Sequence, residues 1–188
     1  KGSLEVSLSS KRIDLDLGDP KAPAAGAAHV LPLLLEARAL LGALPLSAQL
    51  TISADGILAG GQLMRDVRGN LRVQNGAVSL ERLEARLPGR AAINLSGKSE
   101  RDTFSGPLSF ESEEPQSFAR WLLGEQMPQQ LSLGQSLRLK GDVSFTQNEM
   151  SLRGIDAEFG LVKIKGTAAL RQAKDAVKQV LELQLAAE

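Results

Sequence analysis

The chain of 188 residues has no cysteine, no tyrosine, one tryptophan and one histidine. Without cysteine there is no thiol nucleophile, no thiolate metal ligand and no disulfide. A metal site would have to be built from carboxylates with at most one imidazole. Aromatic residues make up 3% of the chain, too few for the stacking platforms that hold single-stranded nucleic acid. Charge of one sign is lacking too. Twenty-two Lys and Arg face 22 Asp and Glu, so there is no basic surplus of the kind that grips a nucleic-acid backbone. A long hydrophobic run is also missing. The most apolar stretch, HVLPLLLEARALLGALPL, is broken by Pro32, Glu36 and Arg38 and falls short of the ~20 apolar residues a spanning helix needs. No signal peptide is visible, and the chain opens on Lys1-Gly2-Ser3 and enters a strand pattern at once. It reads as a piece of a longer protein.

What the chain has is alternation. LEVSLSSKRIDLDL places Leu4, Val6 and Leu8, then Ile13, Leu15 and Leu17, on one side, as one strand or two with a slip between them. GDPKAPAAG reads as a loop, and a helix is expected over about 32–41, with Pro32 at its first position and Gly42 at its end. Strands resume after Leu46, with a hairpin turn expected at Asp55-Gly56, a bulge or edge at Gly60-Gly61 and a tight turn at Asn75-Gly76. A second helix is expected over about 115–123, with Phe118, Trp121 and Leu122 as its buried stripe and Gly124 closing it. Strands then continue nearly to the end. VKQVLELQLA alternates too strictly at Leu181, Leu183 and Leu185 for a helix.

The two halves overlay. Gly69 and Gly141 lie 72 positions apart, and the same spacing pairs Leu71 with Val143, Val73 with Phe145, Val78 with Met150, Leu80 with Leu152, Leu83 with Ile155 and Leu87 with Phe159. In both halves the apolar residues change from even to odd positions inside a strand, between Leu80 and Leu83 and between Leu152 and Ile155. An inserted residue does this by forming a bulge and re-aiming the side chains beyond it. The expected fold is therefore mainly β: a curved, largely antiparallel sheet with two short α-helices, built from two similar units at 1–98 and 99–188 that form one continuous sheet.

No catalytic or metal site is expected. His29 sits alone in an Ala-rich linker. Asp14 with Asp16, and Asp156 with Glu158, each place two acids on one strand face, but the apolar residues between them claim the buried face and leave the acids to solvent. The glycine clusters lack phosphate-loop spacing. No cofactor is expected, and the chain reads as a non-enzyme. Instead, about ten one-sided strands have two ten-residue helices of ~15 Å to cover a sheet nearly 50 Å wide. The apolar face then either closes on itself or stays open as a trough. The residues expected to line a trough are Leu71, Val73, Val78, Leu80, Leu83, Leu87, Ile93 and Leu95, with Val143, Phe145, Met150, Leu152, Ile155, Phe159, Val162 and Ile164 in the second unit.

LSSKRIDLDLG, LAGGQLMRDVRGNLRVQNGAVSLERLEARLPGRAAINLSGK and SFARWLLG resemble the AsmA-like proteins of Gram-negative envelopes, over roughly residues 9–170. The resemblance rests on a rhythm of turn glycines and alternating leucines between Leu58 and Gly97. It implies a periplasmic β-groove segment of a protein anchored in the inner membrane by a helix this chain lacks. Its implied role is to support phospholipid transport or outer-membrane biogenesis, with phospholipid or another acyl-chain ligand and neighbouring repeats of the same chain as partners. No nucleic acid is implied, and no catalytic residues come with the family. The alternative is a non-enzymatic envelope scaffold or protein-interaction module with a packed core.

Overall fold

The structure is a computed structural model that describes residues 3–17, 26–27, 47–74, 77–100, 103–126, 134–146, 149–172 and 179–187. The helix expected over 32–41, His29 and the Asn75-Gly76 turn lie outside these residues. The strands are β1 (Ser3–Ser10), β2 (Ile13–Asp14), β3 (Ser47–Ala59), β4 (Gln62–Gln74), β5 (Ala77–Leu87), β6 (Ala91–Glu100), β7 (Thr103–Ser112), β8 (Leu137–Phe145), β9 (Glu149–Phe159), β10 (Val162–Gln172) and β11 (Gln179–Ala187). One α-helix is present among the described residues, α1 (Pro115–Leu123), followed by a 3-10 turn at Gly124–Gln126.

All eleven strands belong to one open sheet of order β1-β3-β4-β5-β6-β7-β8-β9-β10-β11, with β2 beside β3. From β3 onward every neighbour is antiparallel. The exceptions are β1 and β2, which pair with β3 in parallel and in the same register, Ser3 on Ser47 and Ile13 on Ile57. They are one edge strand interrupted at Lys11 and Arg12, which is the slip visible in the alternation. Lys98, the expected boundary between two units, lies inside β6, and the sheet runs on through it.

The hairpin expected at Asp55-Gly56 is not there. Both residues lie inside β3, and the chain reverses at Gly60-Gly61 instead. There φ is 58° and 74°, and two successive positive φ values are what a tight hairpin asks of its central pair. A Cβ on Gly60 would lie 2.5 Å from the Ala27 backbone nitrogen. Asp-Gly and Gly-Gly are both turn signals, and this second requirement selects the pair that must have no side chain. Near Asp55 the sheet changes phase. The apolar face passes from Ala54 to Ile57 in β3 and from Val67 to Met64 in β4, with Asp66 at φ 52°.

Both expected bulges are present. Leu80 pairs with Gly97 but Leu83 with Leu95, and Leu152 pairs with Ala168 but Ile155 with Gly166. Helix α1 also matches expectation, with Pro115 opening it and Gly124, at φ 56°, ending it. Its stripe packs onto the turn-bearing end of the sheet. Trp121 is 5% exposed and clusters with Ala27 and Ala59, and Met64, Leu87, Phe118 and Leu122 pack against that cluster. The Trp121 indole N–H donates to the Ala59 carbonyl at 2.7 Å, and the Phe118 ring lies 4.6 Å from that of Phe110. The Gly89 carbonyl fixes the approach to α1, accepting from the Glu114 N–H at 3.0 Å and the Ser112 hydroxyl at 2.8 Å.

Candidate functional site: the apolar face of the sheet

The strand registers place the apolar side chains in rows that cross the sheet. One row runs from edge to edge, interrupted only by Ser99, through Leu4, Ala48, Val73, Val78, Ser99, Phe104, Phe145, Met150, Leu170 and position 181. Near the other end of the strands, Ala85, Ile93, Phe110, Leu139, Ala157, Ile164 and Ala187 form a second. At the turn-bearing end, Leu87, Ala91, Ser112, Leu137, Phe159 and Val162 form a third. Period-two alternation puts successive side chains on opposite faces, and the registers, bulges included, bring these apolar sets of neighbouring strands to one side.

All sixteen residues expected to line a trough lie on this face. They are not equally open. Val73, Val78, Val143 and Ile155 are buried. Leu71, Leu80, Leu83, Leu87, Ile93, Leu95, Phe145, Leu152, Phe159 and Ile164 are half-buried. Met150 and Val162 are exposed, at 42% and 45%. Apolar residues of β1, β3, β7 and β8 beyond those sixteen lie on the same face: Leu4, Leu50, Ile52, Phe104, Leu108, Phe110 and Leu139. Their alternation was readable, but register alone joins them to the rest.

The opposite face is polar and paired across strands. Arg72 meets Glu81 at 2.8 Å, Arg86 meets Asp66 at 3.3 Å, and Arg171 meets Glu149 at 3.0 Å and Glu182 at 3.4 Å. These pairs are exposed and contribute about 0–1 kcal/mol each; they mark the wet side. The shallow hollows of this face are lined by residues such as Ser53, Arg68 and Glu84, or Asn94, Lys140 and Asp142.

Among the described residues, coverage of the apolar face is partial. Helix α1 has nine residues, about 14 Å of length, while ten strands span about 43 Å. Among the described residues α1 is the only helix laid on the apolar face, at one end of β3 to β7, and the rows on β8 to β11 carry no helix.

Asp14, Asp16 and Glu158 have structural partners. Asp16 accepts from the Gly60 and Gly61 N–H groups, both at 2.8 Å, and Asp14 accepts from the Asp16 N–H at 3.0 Å. These acids fasten the edge strand to the β3–β4 turn rather than standing side by side on a strand. Glu158 lies between Arg138 and Lys163, at 3.7 and 3.9 Å. No group of three or more His, Asp or Glu is placed to hold a metal ion among the described residues. No helix among them is long and apolar enough to cross a membrane. No family model, curated protein or solved structure matches the chain.

Proposed function

We propose that an apolar sheet face left largely without a roof is a binding surface for acyl chains, and that the chain is a non-enzymatic lipid-conduit segment. The observation that carries this reading is the set of largely apolar rows on one face of an open sheet, one of them running from edge to edge, with most of their side chains half-buried. Each methylene kept from water is stabilised by about 0.8 kcal/mol, so a sixteen-carbon chain gains on the order of 12 kcal/mol from complete shielding. No reacting group is needed for that.

The sequence resemblance to AsmA-like envelope proteins supports the same reading and supplies its setting: the periplasm, an inner-membrane anchor outside this chain, and a role in phospholipid transport or outer-membrane biogenesis. The paired bulges support a duplicated unit, each copy contributing a stretch of trough.

Native mass spectrometry of the purified chain tests the proposal. Phospholipid is expected to co-purify, and Leu83→Asp together with Ile164→Asp, which put charge on the apolar face, is expected to abolish it. Arg72→Asp on the wet face is expected to leave it intact. A chain that binds no phospholipid, or that retains it equally in all variants, refutes the trough and favours a scaffold that docks proteins.

A further inference from the structure

We draw no further inference here: the strongest candidate, the apolar stretch over β8 to β11 where Met150 and Val162 are exposed, belongs to the face already described, and nothing among the described residues shows what covers it.

Discussion

The slope of affinity against acyl-chain length measures how open the proposed trough is. A methylene fully removed from water contributes about 0.8 kcal/mol, so a chain enclosed on all sides binds about 15-fold tighter for every two carbons added. Most side chains on this face are half-buried, and α1 covers only one end of it. A chain lying there is shielded on one side, which reduces the gain to roughly 0.4 kcal/mol per methylene, about fourfold per two carbons. Displacement of a fluorescent fatty acid by saturated acids of about ten to eighteen carbons, each below its aggregation threshold, reads this slope directly. The expected result is a straight line near fourfold per two carbons. A flat series refutes the reasoning, because the apolar side chains would then already be satisfied by one another. A slope near fifteenfold refutes the openness of the trough while leaving acyl binding in place.

Trp121→Ala removes the side chain that seats α1 and is expected to cost about 3–5 kcal/mol; Trp121→Phe leaves the Ala59 carbonyl without its donor and costs about 1–3 kcal/mol. Thermal denaturation separates them at about 2–4 °C per kcal/mol for a chain of this size. Gly60→Ala meets both a positive φ and the Ala27 backbone, and it is expected to lower the melting temperature where Gly134→Ala, with nothing within 4 Å of the new Cβ, leaves it unchanged or raised. Asp16→Ala frees two N–H groups of the Gly60-Gly61 turn and is expected to cost about 1.5–3 kcal/mol by urea unfolding. Arg171→Ala, which loses two exposed ion pairs, is expected to change stability by about 1 kcal/mol or less in the same assay.

Much of this architecture is legible from residue spacing. The strands follow from alternation, α1 from the Phe118-Trp121-Leu122 stripe between Pro115 and Gly124, and both bulges from the phase change they impose. Turns were less legible where two candidates lay close together. Asp55-Gly56 carries the stronger hairpin signal in isolation, yet the reversal falls at Gly60-Gly61 because Ala27, more than thirty residues earlier, needs the space a side chain would fill. The parallel pairing of β1 with β3 leaves no local trace, since a strand's own sequence does not state which neighbour it takes. The same holds for the Asp14 and Asp16 carboxylates. Their spacing suggested two acids on a wet face, but the backbone N–H groups they hold belong to a turn about 45 residues away and to each other's chain segment. Alternation shows the apolar face one strand pair at a time, and its width, including Leu50, Phe110 and Leu139, depends on registers that no single strand states.

From β3 to β11 each strand lies beside the next one in the chain, so the order of assembly can follow the order of synthesis. Every hairpin added finds its template already laid down, and loop-closure costs stay small until the ends are reached. The β1–β2 edge is different: it emerges first yet must wait for β3, more than thirty residues later, before it has anything to join. That makes the amino-terminal edge a seam closed across the widest gap in the chain between paired strands, and its opening would bare the side of β3 as a ready-made template for any passing strand.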